Sequence, residues 1–518
     1  MAILDEFRLR SIHPSVFALS LPIRPASVRD SMFRAELFCK RIVQEGVIRS
    51  GQRALVVGRG PVGMTVLATL AKHRLKLVSY NTPPDGDGAT IANCTTRILC
   101  PTTFDFPSPQ WRVRRFPHDD SFTAELHWRA SSAEDVLNRM SQVLSERIHP
   151  YARNCTFRIG ELLSVKGHEN EPSKVQTVLR TRLKDRKFKE MVENFDLVLI
   201  CTGPGRDRVS LRAQPGGFAG FSFWSNADPL SQIYKGSTGR RVLNLSSAAG
   251  KRFLILGGGD GGIADFVRLL TGNPDGFDSL DDVALPPAFL AELGSLSRSM
   301  WKGYNEHEFA GSLCALLVDT QRRLKRLIDQ TWEQTESIRE QVHRLLLSPS
   351  ERPFVQLAMP CFHFQLSYFG NRLMAQFLAR AMSADLARQN GGLVPFRVAV
   401  NCTSIEGVDP NSHRCAGNAA ECMRFRHLVE FEPDYCAEGS NELRPDYMDD
   451  CEATDTQYGP NRTATTSCCP EPFDRIILRL NTERLTSGLP GEIVDLINSR
   501  RSDPIRDALT CYIEDRVA

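Results

Sequence analysis

Two stretches of this chain carry the same glycine pattern, and that repeat restricts the possible folds more than any other feature. Residues 54–63 read Ala-Leu-Val-Val-Gly-Arg-Gly-Pro-Val-Gly, and residues 253–262 read Phe-Leu-Ile-Leu-Gly-Gly-Gly-Asp-Gly-Gly. Each is a short apolar run that breaks into Gly-x-Gly-x-x-Gly and continues with a helical pattern. This is the pattern of a buried parallel strand that turns onto the N-terminus of a helix to bind a phosphate.

The glycines of each motif are expected to have three different roles. The first makes the tight turn, the second lets a pyrophosphate approach the backbone, and the third lets the helix pack closely on the sheet. The two triplets are Gly58, Gly60 and Gly63, and Gly257, Gly259 and Gly262.

The repeat continues after the glycines. Each motif is followed by a predicted pair of β-strands and then by a Phe-Asp dipeptide that opens an apolar strand. The segments are 157–165, 178–183 and 195–203 in the first half, and 396–408, 427–432 and 473–480 in the second. We therefore predict an α/β fold with two Rossmann-like dinucleotide-binding units, in which 195–201 and 473–479 are equivalent strands. The alternative is that any α/β protein offers apolar strands in this order.

Helical periodicity and loop composition divide the chain further. Residues 286–347 and 363–389 have apolar residues at helical spacing, which predicts a helical insertion in the second half. The predicted organisation is an N-terminal extension with a helix (1–50), a first dinucleotide-binding half (51–210), a linker (211–250), a second half (251–481) with a helical insertion (276–390), and a C-terminal segment (482–518).

Composition excludes several classes of function. The net charge is +3, which is too small to indicate binding to nucleic acid or to an anionic membrane. No apolar run reaches the roughly 18 residues that a transmembrane helix needs. Charged residues occupy the N-terminus where a signal peptide would be apolar, so we expect a cytoplasmic protein.

The cysteines do not indicate a metal site. Zinc sites usually contain close ligand pairs such as Cys-x₂₋₄-Cys. In the Cys-rich segment 402–469, His413 and Cys415 form the one close pair, and Cys468 and Cys469 are directly adjacent, so no metal is predicted there. Fifteen cysteines in a chain of 518 residues also do not make a disulfide scaffold.

Two motifs resemble those of the flavoproteins with two dinucleotide-binding domains, the glutathione-reductase-like group that includes flavin monooxygenases. The first is Val57-Gly-Arg-Gly-Pro-Val-Gly63, in which Pro61 lies inside the glycine motif. The second is the apolar strand at 196–204 that ends in Thr202-Gly203. The resemblance implies an oxidoreductase with FAD on the first motif and near Thr202 and Gly203, and with NAD(P)H on the second glycine motif.

The same resemblance bears on the substrate. Dithiol reductases of that group use Cys-x₂-Cys or Cys-x₄-Cys, whereas Cys94 and Cys100 have five residues between them. A monooxygenase-like or simple oxidoreductase reaction on a small molecule therefore fits better than dithiol exchange. The sequence names neither the substrate, a catalytic acid or base, nor the oligomeric state.

Three further residues are candidates for cofactor binding. Asn81 ends the predicted second strand, where an acidic residue would otherwise hold the adenosine ribose. Arg97 follows that strand and could reach the flavin phosphate or the substrate. Asp260 puts a negative charge beside the expected pyrophosphate of the second motif, which should repel phosphate.

Two other functions remain open at this stage. The string Leu254–Gly262 also looks like the nucleoside-binding motif of spermidine synthases and related methyltransferase-fold enzymes, where an S-adenosyl ligand carries a sulfonium and tolerates Asp260. A non-catalytic nucleotide-binding regulatory protein would also be compatible with the neutral Asn81.

Overall fold

A computed structural model of the chain describes two compact units. The first comprises residues 1–95, 104–206 and 482–518, and the second comprises 96–103 and 207–481. Within these, the structure describes 7–19, 28–81, 94–95, 97–99, 131–183, 185, 187–202, 249–257, 259–273, 283–306, 310–359, 369–389, 395–397, 400–407, 427–433, 471–478, 489–490 and 492–494.

The described chain contains eight α-helices, four of which follow one another between β10 and β11. The helices are α1 (Val28–Gln44), α2 (Pro61–Ala71), α3 (Ala133–Ile148), α4 (Asp260–Thr271), α5 (Pro287–Glu306), α6 (Ala310–Gln334), α7 (Glu336–Leu345) and α8 (Phe369–Gln389). None of these helices is long and apolar enough to cross a membrane.

Fourteen of the sixteen described strands belong to sheets of seven, four and three strands. They are β1 (Val16–Ala18), β2 (Arg53–Val57), β3 (Lys76–Asn81), β4 (Ile98–Leu99), β5 (Ser131–Ser132), β6 (Cys155–Gly167), β7 (Val175–Arg182), β8 (Phe188–Phe195), β9 (Leu197–Ile200), β10 (Arg252–Leu256), β11 (Phe354–Ala358), β12 (Phe396–Arg397), β13 (Val400–Gly407), β14 (His427–Pro433), β15 (Glu471–Phe473) and β16 (Arg475–Leu478).

The first unit is built on one sheet in the order β1-β9-β2-β3-β6-β7-β8. Strands β1, β9, β2, β3 and β6 run parallel, and β6, β7 and β8 form an antiparallel meander. Strands β2 and β9 are buried almost throughout, which explains why both read as continuous apolar runs instead of alternating patterns.

The N-terminal residues take part in this unit. Strand β1 pairs with β9, and α1 packs against α2. The ring of Phe38 on α1 meets the ring of Phe17 on β1 edge to face, with centroids 5.1 Å apart. The segment therefore supplies both an edge strand and a covering helix.

The second unit repeats the central part of that topology. Its parallel sheet has the order β12-β11-β10-β16, and its separate antiparallel sheet has the order β13-β14-β15. Strand β16 occupies the place beside β10 that β9 occupies beside β2. This confirms the predicted α/β fold with two Rossmann-like units and the predicted equivalence of the two Phe-Asp strands.

The Phe-Asp dipeptide has the same contacts in both units. The backbone N–H of Arg53 donates to an Asp196 carboxylate oxygen, and that of Arg252 donates to an Asp474 carboxylate oxygen, each at 2.8 Å. Each aspartate N–H returns a 2.9 Å bond to the carbonyl of the same arginine. The guanidinium also lies over the phenylalanine ring, at 4.8 Å in the first unit and 5.5 Å in the second. These contacts fix the last strand in register beside the first.

The second strand of the second unit comes later in the chain than expected. No strand is recognisable in the sequence directly after Leu270, but the structure forms one at β11. The predicted insertion 276–390 therefore contains a strand of the parallel sheet, and its helices before β11 (α5–α7) form the inserted segment. The inserted segment starts after the C-terminal end of α4, and its last residues return to the same place. The backbone N–H of Leu347 donates to the carbonyl of Leu270, near the end of α4, at 2.9 Å. Within the second unit α6 packs on α5, α7 and α8, and α8 packs on α4.

Candidate nucleotide-binding sites

The first glycine of each motif makes a turn that other residues would strain. Gly58 has a φ of +98° and Gly257 one of +124°, both in the region that favours glycine. The N–H of Gly58 donates to the carbonyl of Tyr80 at 2.8 Å, and that of Gly257 donates to the carbonyl of Ala358 at 2.9 Å. Each turn is therefore bonded to the neighbouring strand of its own unit, which is β3 in the first unit and β11 in the second.

The third glycine lets the helix rest on this turn. A side-chain carbon placed on Gly63 would lie well under 3.0 Å from the carbonyl oxygen of Gly58. A side-chain carbon on Gly262 would meet the carbonyl oxygen of Gly257 in the same way. The motif predicts that these glycines let the helix pack closely on the sheet. In the structure each one packs against the carbonyl of the first glycine of its own turn.

The second glycine is required neither by conformation nor by packing. Gly60 and Gly259 have extended backbones, with φ values of −67° and −77°, and a side-chain carbon at either would meet nothing within 4 Å. Each is the residue before its helix, and the first helical bonds run from Met64 to Gly60 and from Ile263 to Gly259 at 3.0 Å. The space faces helical N–H groups that have no acceptor within the helix, which suits an anion.

Pro61 and Asp260 begin the two helices. Pro61 is the first residue of α2, where its missing N–H costs nothing and its fixed φ suits the helix. Asp260 is the first residue of α4, where a carboxylate is favoured by the helix dipole. The positive N-terminal end of α4 therefore lies beside the negative carboxylate of Asp260, whereas α2 has no acidic residue in its first turn.

The Asp260 carboxylate is engaged by a helix that the sequence did not associate with it. Its Oδ1 accepts a 2.7 Å hydrogen bond from Nδ2 of Asn371 on α8. Arg372 is fully buried beside it; burial lowers the pKa of Arg372 to about 10, while the charge of Asp260 opposes that shift. The expected repulsion of phosphate by Asp260 is thus reduced by a neighbouring positive charge, which lies more than one hundred residues away along the chain.

Asn81 is the last residue of β3, as the sequence indicated. Its Oδ1 accepts a hydrogen bond from the backbone N–H of Arg59 at 3.3 Å, which ties the end of the strand to the glycine turn. The amide therefore lies at the edge of the sheet where the ribose of a dinucleotide is expected.

Thr202 lies at the same edge of the first unit. The residue before it, Cys201, donates its N–H to the carbonyl of Val57 at 2.7 Å, and its own carbonyl lies against Gly58. Burial raises the pKa of the Cys201 thiol far above its usual range, so that sulfur is an inert packing group. Gly203 lies outside the described residues.

The structure places Arg97 differently from the prediction. Its guanidinium belongs to the second unit and forms a buried ion pair with Asp265 of α4, with Arg97 1% and Asp265 0% exposed. Arg268 joins them at 3.6 Å. A carboxylate buried this deeply needs a cation beside it, and Arg97 supplies that charge. Arg97 is therefore occupied by a structural ion pair instead of a flavin phosphate.

Across the described ranges, no group of three or more His, Cys, Asp or Glu side chains is arranged to hold a metal ion. Most of the Cys-rich segment 402–469, including the His413 and Cys415 pair, lies outside those ranges.

Among known proteins, this chain matches solved structures. Neither the protein-family models nor the curated proteins gave a match. Solved structures that match include the lysine monooxygenase NbtG of Nocardia farcinica, with 15% identity over 36% of this chain and 38% of that one and a TM-score of 0.19. The flavoprotein disulfide reductase RclA of Escherichia coli matches with 10% identity over 86% and 59% of the two chains and a TM-score of 0.33.

The Lactococcus lactis thioredoxin reductase matches with 8% identity over 90% of this chain and 99% of that one, with a TM-score of 0.31. The match covers 38% of the lysine monooxygenase and 59% of the disulfide reductase, so this chain spans less than two thirds of each. All these TM-scores lie below 0.5, so the fold assignment rests on this chain's own strand order.

The three glycine roles predict different effects for neighbouring alanine variants. Gly63→Ala should destabilise the first unit by about 1–3 kcal/mol, because its methyl group would overlap the Gly58 carbonyl. Gly60→Ala should stay within about 1 kcal/mol of the wild type, because its backbone and surroundings accept a methyl group and the gain in chain stiffness offsets the weaker helix cap. Thermal unfolding of both variants beside the wild type measures this; equal melting temperatures for the two variants would contradict it.

The buried ion pair gives a second prediction. Arg97→Leu should destabilise the second unit by up to about 3–5 kcal/mol, because it removes one of the two cations, Arg97 and Arg268, that lie beside the buried Asp265. Arg97→Lys, which keeps the charge, should lose less. Thermal unfolding and FAD titration of both variants separate the two roles. An unchanged melting temperature together with weaker FAD binding would show that Arg97 binds the cofactor.

Proposed function

We propose that this protein is an FAD-dependent oxidoreductase in which NAD(P)H reduces the flavin and a small molecule is the substrate. The observation that carries the proposal is the open space at the second glycine of both motifs. Gly60 and Gly259 need no glycine for conformation or packing, and each space faces the start of a helix. A group with diphosphate chemistry fits both positions.

In the first unit, this proposal assigns each part of FAD to named residues. The N–H groups at the start of α2 would bind the diphosphate beside Gly60 and Pro61, with Gly58 and Gly63 shaping the turn. Asn81 would hold the adenosine ribose. Thr202, which lies just after β9, and Gly203, which follows it in the sequence, would line the flavin. A bound flavin supplies hydride acceptance and electron transfer to the substrate.

In the second unit, NAD(P)H would lie on Gly257, Gly259 and Gly262. Asp260 would set the affinity of this site, since its carboxylate begins α4, the helix that would face the diphosphate. The contacts from Asn371 and the nearby Arg372 moderate that charge without removing it. We therefore expect the second site to bind its nucleotide more weakly than the first.

A visible spectrum and a flavin titration test the first half of the proposal. Purified wild type should bind FAD, and added NAD(P)H should bleach the oxidised flavin under anaerobic conditions. Gly60→Asp should abolish flavin binding, because a side chain and a negative charge would occupy the diphosphate position. Gly259→Asp is the matched control: it should retain FAD and lose reduction by NAD(P)H. Protein that stays colourless with excess FAD and shows no binding by calorimetry would refute the flavin assignment.

Two variants at position 260 test the second site. Asp260→Asn removes the charge but keeps an acceptor for Asn371, so NADPH should bind about tenfold more tightly. Asp260→Ser should tighten NADPH as well, but lower the melting temperature, because the bond from Asn371 is lost. Calorimetry with NADPH, NADH and S-adenosylmethionine measures both.

The same titration discriminates the alternative functions. Asp260 itself favours an S-adenosyl-nucleoside-dependent transferase, because a sulfonium tolerates a carboxylate where a diphosphate does not. For that function, wild type should bind S-adenosylmethionine, and both variants should weaken it while NADPH stays unaffected. A non-catalytic relative should bind none of these ligands in any version.

A further inference from the structure

The first unit has exposed apolar surface beside its glycine turn. Phe157 and Ile159 on β6 are 45% and 40% exposed. They pair in register with Ser79 and Asn81 of β3, so Phe157, Ile159 and Asn81 share one face beside the carboxyl end of β3. Ligands of open α/β sheets bind at this edge.

Arg59 lies over that surface. It stands between Gly58 and Gly60 in the turn, and its backbone N–H is bonded to Asn81. The central carbon of its guanidinium is 5.7 Å from the centroid of the Phe157 ring. The Arg59 side chain is half-buried, and this partial loss of water lowers its pKa. A flat cation is thus held against an aromatic ring at the edge of the proposed diphosphate site.

The second unit shows that the fold does not require this arrangement. Tyr80 and Ala358 accept the bonds from the two turns, so the residues after them, Asn81 and Met359, are equivalent. By the same register, Phe157 corresponds to Phe396, whose ring packs on Phe266 of α4 with centroids 5.2 Å apart.

The sequence places Gly258 where the first motif has Arg59. The second unit therefore has a methionine in place of the amide, a glycine in place of the arginine, and an aromatic ring packed on its own helix. The amide, the arginine and the exposed ring occur together only beside the first glycine turn, among the residues that the structure describes.

We propose that Arg59, Phe157 and Asn81 form the subsite for the adenosine end of the dinucleotide in the first unit. The adenine ring lies against the Arg59 guanidinium and covers the apolar surface of Phe157 and Ile159. Nδ2 of Asn81, which donates to no described residue, donates to a ribose oxygen in place of the usual carboxylate contact. This assignment rests on the proposed FAD site and names the groups that select its adenine end.

The physical basis is stacking combined with a half-buried cation. A guanidinium stacks on flat π-systems and still donates hydrogen bonds at its edge, whereas a lysine ammonium offers a point charge. Base stacking on such platforms changes affinity by roughly five- to one-hundred-fold on truncation. Arg59→Leu and Phe157→Leu should therefore each weaken adenosine binding by about tenfold.

The experiment uses the full chain carrying Gly259→Asp, so that adenine nucleotides bind only to the first unit. Calorimetric titrations with FAD and with 5′-ADP compare this protein with versions that also carry Arg59→Leu, Arg59→Lys or Phe157→Leu. Phe396→Leu, at the equivalent position of the second unit, is the matched control. Thermal unfolding verifies that each version is folded; Phe157 and Arg59 are exposed enough for these changes to be tolerated.

The expected result is a loss of about tenfold in affinity for both ligands with Arg59→Leu and Phe157→Leu, an intermediate loss with Arg59→Lys, and none with Phe396→Leu. FAD binding that none of the variants changes would overturn the subsite and leave the flavin proposal standing. Binding of 5′-ADP that depends on Arg59 and Phe157, without FAD binding, would support the subsite and refute the flavin. Binding of neither ligand would overturn both.

Discussion

The close approach of a helix to the turn that precedes it is the constraint on which both units depend. In each unit the third glycine lies against the carbonyl of the first, and any side chain there would force the two apart. Because the helix rests directly on the turn, its first N–H groups face the edge of the sheet. The open space at Gly60 and Gly259 follows from this approach.

A second constraint holds the central strands in register. In each unit a pair of hydrogen bonds attaches the last parallel strand to the strand that precedes the glycine turn. The pairs are Arg53 with Asp196, and Arg252 with Asp474. These contacts occur in both halves, whereas the residues at the edge of the sheet differ between them. The two units therefore share their internal geometry and differ where a ligand would touch them.

Local patterns predicted most of the framework. The glycine motifs, the apolar strands and the Phe-Asp repeat each report on contacts within a few residues or within one strand pair, and the structure forms them where the patterns lie. The second strand at β11 escaped prediction because the helical insertion separates it from α4, and short apolar runs alone do not distinguish a strand from a buried helix.

The sites were only partly predictable, for a physical reason. Asn371 approaches Asp260, and Arg97 approaches Asp265, across 111 and 168 residues of sequence. No periodicity or spacing encodes such pairs, because tertiary packing alone brings them together. A signal was nevertheless present for Arg97: an aspartate among the apolar residues of α4 needs a cation once that helix is buried.

The hydrogen bond between Leu347 and Leu270 has a consequence for the architecture of the chain. The helical insertion leaves and re-enters the second unit at adjacent points, as an inserted module does when its two termini meet. A gap of this size can be closed by a tight turn, whose loop-closure entropy is small. The insertion can thus lengthen, shorten or be exchanged over the history of such a protein while the parallel sheet on either side keeps its register.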